Sequence, residues 1–179
     1  MRFWERSVFP GIKPVDRRSL NGMLAHIHTY PVRRFVGFST LLRESAEAPN
    51  RYDGIPTLWA KLRAAMESIP TRIGTDRFAL IEGDFLEKSP QATYSALVEV
   101  HAFDGIPEEM ERFEYNGVQL AVFDGQGPPS SVNQLALKVL HEWVPQSEHR
   151  VSANRELFVF SEAYVPTDPT SAYQFVLFI

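Results

Sequence analysis

The chain runs through one plan of elements twice, and that duplication constrains the fold more tightly than any single motif. The stretch "HTYPVRRFVGFST" (28–40) reads as a strand with its leading turn, and "FEYNGVQLAVFDG" (113–125) matches it. Tyr30 aligns with Tyr115, Val36 with Ala121 and Phe38 with Phe123. A loop and an amphipathic helix follow in each case. In the first helix Ile55, Leu58, Trp59, Leu62, Met66 and Ile69 recur on one face, with Pro56 suited to the first turn and Pro70 marking the end. In the second, Val132, Leu135, Ala136, Val139, Leu140 and Trp143 do the same, and Pro145 is the stop. Ser131 with Gln134 reads as a capping box. Each helix leads into two strands: "RFALIEGDF" (77–85) and "TYSALVEVHAF" (93–103), then "RELFVF" (155–160) and "SAYQFVLFI" (171–179).

Each half is therefore β-α-β-β. One helix per three strands cannot bury a sheet face alone, so the halves are expected to pack side by side. The fold class expected is α+β: a mostly antiparallel sheet with two main helices on one face and a central groove. Residues 1–22 read as an irregular N-terminal arm, and 23–179 as a single domain with pseudo-repeats of about 23–106 and 107–179. "PEEMER" (107–112) reads as a short helix joining the halves. Small-molecule sites favour interfaces between such subunits of structure.

Within the second half, "NRELFVF" (154–160) places a carboxylate where its surroundings call for hydrocarbon. Alternation puts Glu156, Phe158 and Phe160 on one face of a strand and Leu157 and Val159 on the other. Two readings follow. Glu156 pairs with Arg155, Arg150 or another base at the strand end, as structural carboxylates do. Alternatively it stands in an aromatic pocket, where desolvation raises its pKa and a cationic ligand restores the ionised form. A carboxylate among rings selects flat, greasy cations, because ring faces attract positive charge as well.

Other candidate chemistry is weaker. Glu99 and His101 share a strand face, as do His26 and His28, but each pair also fits the wet side of a half-exposed strand. Two histidines fall short of a zinc site, so no metal is expected. "DGQGPPSS" offers Pro128 and Pro129 where a phosphate loop needs N–H donors, so no nucleotide or other cofactor is expected. The absence of cysteine excludes disulfides and thiolate chemistry. A net charge of -4 with scattered basic residues shows no face for nucleic acid. No apolar run approaches the roughly 20 residues of a membrane span, and the N-terminal stretch is unlike a signal peptide, so a cytoplasmic location is expected.

"FVGFST", "IPTLWAKL", "YSALVEV", "MERFEYNGVQLAVFDGQGP", "LHEWVPQSEHRV" and "NRELFVF" follow one another over about residues 23 to 179. The ordered set resembles the GyrI-like, or AraC-type effector-binding, family of drug-sensing domains. That resemblance implies a duplicated β-α-β-β fold with a central hydrophobic pocket, and an acidic pocket residue that pairs with lipophilic cations. The matching acidic position is Glu156. Phe158 stands where the family often has tyrosine, which removes a hydroxyl from the site. The resemblance also implies that Trp59 lies at the pocket rim, while Trp143 is assigned to the core. Phe38 and Phe123 complete the ligand-contact candidates. With 22 residues ahead of the domain, no helix-turn-helix is expected.

The leading expectation is a stand-alone domain that binds hydrophobic, cationic compounds through Glu156, Trp59, Phe158, Phe38 and Phe123, without being an enzyme. Some relatives hydrolyse strained alkylating natural products, so the alternative is a hydrolase with Glu156 as general base on water. Regulation of a protein partner such as DNA gyrase, homodimerisation, and a closed interaction module without a pocket stay open.

Overall fold

The computed structural model describes residues 16–20, 22–42, 50–83, 92–151 and 155–179. Among the described residues there are seven strands: β1 (Asp16–Leu20), β2 (Met23–Leu42), β3 (Arg77–Glu82), β4 (Ala92–Val100), β5 (Glu111–Gln126), β6 (Arg155–Phe160) and β7 (Ala172–Phe178). Helix α1 (Ile55–Ala65) follows β2, and α2 (Pro129–Lys138) follows β5. The element order from β2 onward is β-α-β-β twice, as the internal repeat predicts.

All the strand pairings are antiparallel, in the order β1-β2-β4-β3-β6-β7-β5. The two long strands each serve two partners. His26–Gly37 of β2 pair with β5, while Arg34–Leu42 pair with β4. Leu120–Gln126 of β5 pair with β7. Because β2 meets β5 as well as β4, the strand order returns on itself and joins the lobes a second time.

Register ties the halves together residue by residue. Thr40 lies opposite Tyr94 and Tyr94 opposite Ile81; in the second lobe Gly125 lies opposite Tyr173 and Tyr173 opposite Phe160. Aligning Phe38 with Phe123 therefore makes Tyr94 the counterpart of Tyr173 and Ile81 that of Phe160. Two residues back along each strand, Ala79 matches Phe158. Two further back, Arg77 matches Glu156.

The sheet separates two buried clusters. On the helix side Leu58 and Leu62 of α1, with Val132 and Ala136 of α2, pack against Val36, Ala79, Phe158 and Phe175. On the other side Phe35, Phe78, Tyr115 and Phe178 pack edge-on across the curl of the sheet, with centroids 5.0 Å apart for Phe35–Phe78 and 5.2 Å for Tyr115–Phe178. Burying both faces explains why the strands read as nearly continuous apolar runs.

Five local expectations change. The first helix ends at Ala65, and Met66–Ser68 tighten into a 3-10 turn. The second begins at Pro129 and passes into a π-turn at Val139–Trp143, then a 3-10 turn at Val144–Gln146. The capping box does not form: Ser131 Oγ donates to the Pro128 carbonyl at 2.7 Å, three residues back, so it is no cap for the N-terminal amides. "PEEMER" is not a helix, because residues 107–110 make turns and β5 starts at Glu111. Part of the expected N-terminal arm is also regular: β1 pairs with Met23–Ile27. Residues 1–15 lie outside the described residues.

Candidate ligand-binding cavity

A cavity of about 590 Å³ opens between the first turns of the two helices, over the β3–β6 pair. Its position follows from the duplication: β3 and β6 are the strands through which the lobes meet, and neither helix covers their centre. Ala79 and Phe158 face each other across the floor, flanked by Ile81. Trp59 and Ile55 of α1 form one wall, and Val132 and Asn133 of α2 contribute to the other. Volumes of this size suit a drug-sized ligand.

Aromatic packing holds the walls. Trp59 is half-buried, donates from Nε1 to the Tyr94 hydroxyl at 3.0 Å and meets Phe160 edge-on at 6.2 Å. Phe160 leans on Tyr164 at 4.7 Å, and Tyr164 donates its hydroxyl to the Gly127 carbonyl at 3.1 Å. Tyr173, the counterpart of Tyr94, lies within hydrogen-bond distance of Ser131 Oγ at 3.2 Å. Tyr173 fits only because residue 125 is glycine: a Cβ there would stand 2.4 Å from the tyrosine ring and 2.8 Å from Leu135. Burial pushes the Tyr94 hydroxyl up to about 12, so it stays protonated in the range where proteins are stable.

Glu156 lies just beyond the cavity floor. It pairs with Ile81 on one side and Leu177 on the other, two residues along β6 from Phe158. Only 8% of it is exposed, and Oε2 has no hydrogen-bond partner among the described residues. Desolvation raises its pKa to about 7. The base next to it in sequence is engaged elsewhere: Arg155 donates to Glu82 at 2.8 Å on the opposite face and stacks over Tyr115.

Trp59 and Phe158 thus border the cavity, whereas Glu156 sits behind its floor. Phe38 and Phe123 are in the core. Lys61 Nζ lies 3.8 Å above the Phe38 ring, and Phe123 packs edge-on against Trp143 at 5.0 Å. Trp143 is entirely buried, as expected of a core residue. Tyr94, Phe160, Tyr164, Arg63 and Arg77 border the cavity without having been singled out from sequence. The repeat carried a signal for Tyr94, whose match to Tyr173 requires the correct offset between the lobes. Glu99 is no partner of His101, because Arg33 clasps it bidentately at 2.7 and 2.6 Å. Among the described residues no group of three acidic or histidine side chains could hold a metal, and no helix is long and apolar enough to cross a membrane.

The GyrI-like small molecule binding domain matches residues 25–175. The chain belongs to that family. No curated protein matches the sequence. Several solved structures share the GyrI-like fold. A putative bacterial transcription regulation protein from Staphylococcus aureus MU50 has 15% identity and a TM-score of 0.62, over 88% of this chain and 98% of that one. SAV2435, solved bound to tetraphenylphosphonium, has 14% identity and a TM-score of 0.65, over 86% and 92%. A hydrolase encoded by lin2189 from Listeria innocua has 12% identity and a TM-score of 0.54, over 86% and 90%. At these identities the likeness is one of fold.

Proposed function

We propose that this GyrI-like domain binds hydrophobic, cationic small molecules in the cavity between α1 and α2, with Glu156 favouring positive charge. The observation carrying this reading is an aromatic-walled cavity whose floor residue, Phe158, adjoins a desolvated carboxylate whose Oε2 has no hydrogen-bond partner among the described residues. A buried carboxylate without a counter-charge costs several kcal/mol when ionised, and a cation at the floor offsets that cost. Trp59 and Phe158 then offer ring surface to the ligand, with Phe38 and Phe123 supporting the floor from the core. The tetraphenylphosphonium complex of SAV2435 supports the reading by likeness.

The test is titration with tetraphenylphosphonium and with neutral triphenylphosphine oxide, followed through tryptophan fluorescence. Glu156→Gln is expected to weaken the cation about tenfold, because the negative charge behind the floor is lost, and to leave the neutral compound nearly unchanged. Equal weakening of both would assign Glu156 to scaffolding. Because its pKa is about 7, cation affinity should also rise as pH increases through neutrality.

A second reading is supported by that same pKa, which suits a general base at neutral pH. Glu156 would take a proton from water as it attacks a strained alkylating substrate held against the aromatic walls. Incubation with cyclopropane-containing alkylators decides it: Glu156-dependent ring-opened product supports hydrolysis, and intact substrate supports binding alone.

A further inference from the structure

The charged residues on the cavity wall are both basic. Arg77 opens β3, and Arg63 lies one turn beyond Trp59 on α1. Arg77 is half-buried, and one of its N–H groups donates to the Ser161 carbonyl at 3.0 Å, which fixes the guanidinium at that end. Its Nε is buried with no hydrogen-bond partner among the described residues. Asp76 and Glu162 lie close enough to act on Arg77 electrostatically, but neither forms an ion pair with it. Arg63 is exposed and makes no ion pair with a described residue. The first turns of α1 and α2 border the same space, so their positive dipole ends add to the same sign.

This basic end is remote from the carboxylate. Arg77 lies opposite Phe160, four residues along β6 from Glu156, a span of roughly 13 Å at about 3.3 Å per residue. The register makes Arg77 and Glu156 counterparts in the duplicated fold. Arg77 thus stands on the cavity wall while its counterpart Glu156 lies behind the floor, so the repeat does not make the site symmetric in charge.

We infer that the Arg63–Arg77 end of the cavity seats an acidic group of the ligand, so that the preferred ligands are elongated aromatic zwitterions rather than simple lipophilic cations. The inference rests on the proposed binding function and narrows its ligand class. A planar guanidinium on the cavity wall, with the exposed Arg63 beside it, matches a carboxylate or sulfonate, and a long aromatic body would bring a cationic group toward Glu156 behind the floor.

The test uses two forms of one rhodamine, the free benzoic acid and its ethyl ester, which share a cationic ring system and differ in the acid group. Dye anisotropy is followed during titration with the whole protein. The acid is expected to bind about tenfold more tightly than the ester, one charge-assisted contact. Arg63→Gln and Arg77→Gln should each remove most of that preference while leaving ester affinity near its original value. Arg63 is exposed, so its substitution tests the idea even if Arg77→Gln fails to fold. An ester that binds as well as the acid, or arginine variants that weaken both dyes alike, overturns the inference while the binding function stands. Failure of both dyes to bind overturns the two together.

Discussion

Glu99 and Glu156 lie on opposite faces of this sheet, and their surroundings differ in kind. Glu99, on the face away from the helices, lies against Arg33 in a two-pronged ion pair, and Arg33 is itself packed over the rings of Tyr30, Phe35 and Phe78. Glu156, on the helix face, is no more exposed but has hydrocarbon neighbours across both strand pairings. Arg33–Glu99 supplies its own counter-charge, and a ligand adds nothing to it. Glu156 Oε2 has no such partner among the described residues and lies just behind the floor of the cavity between the helices. Burial alone does not distinguish the two carboxylates; the presence of a described internal partner does.

Loss of the internal partner should have its largest effect at Arg33. Arg33→Ala should destabilise the fold by about 3–5 kcal/mol, because it leaves Glu99 partly buried and unpaired. Urea unfolding at neutral pH measures this directly, and a loss below about 1 kcal/mol would mean that Glu99 finds water instead.

At Glu156 the expected sign is reversed. Its folded-state pKa, about 7, lies above the unfolded value near 4.5, so the folded state holds its proton more tightly. The contribution is most favourable below the unfolded pKa and is lost as pH rises through about 7. Ionised Glu156 therefore costs up to about 3 kcal/mol at mildly alkaline pH, and Glu156→Gln should recover most of that. In acid the two proteins should converge. A variant equally stable or less stable than wild type at alkaline pH would show that Glu156 has an internal partner after all.

The same contrast explains what could be read in the sequence. Element types were legible from Arg155–Phe160 and Ile55–Ile69 because period-two and helical patterns are local. The anomaly at Glu156 was legible because an ionisable group interrupted an apolar face. The β2–β5 closure was not, since it depends on pairing between distant segments whose faces are both apolar. The position of Glu156 behind the floor, rather than on the wall, depends on how α2 settles: only its first turn borders the cavity, while Val139 and Trp143 turn down into the core. By sequence Arg77 is one charged residue opening a strand, and only the register matches it with Glu156. Ser131 had the right spacing for a capping box, but its hydroxyl turned back to Pro128 and toward Tyr173.

The smallest effect concerns a polar group on the helix face that does have a partner. Trp59 Nε1 donates to the nearly buried Tyr94 hydroxyl, whose counterpart Tyr173 is met by Ser131. Trp59→Phe removes the donor and leaves that hydroxyl with one partner fewer, at a cost of about 1–2 kcal/mol. Removing the hydroxyl as well, in Trp59→Phe with Tyr94→Phe, should cost less than the sum of the two single changes, since no buried polar atom is stranded. A double-mutant cycle by urea unfolding measures the difference. Additive losses would mean that the pair contributes only ring packing, and that unmet polarity on this face is tolerated at Tyr94 as readily as at Glu156.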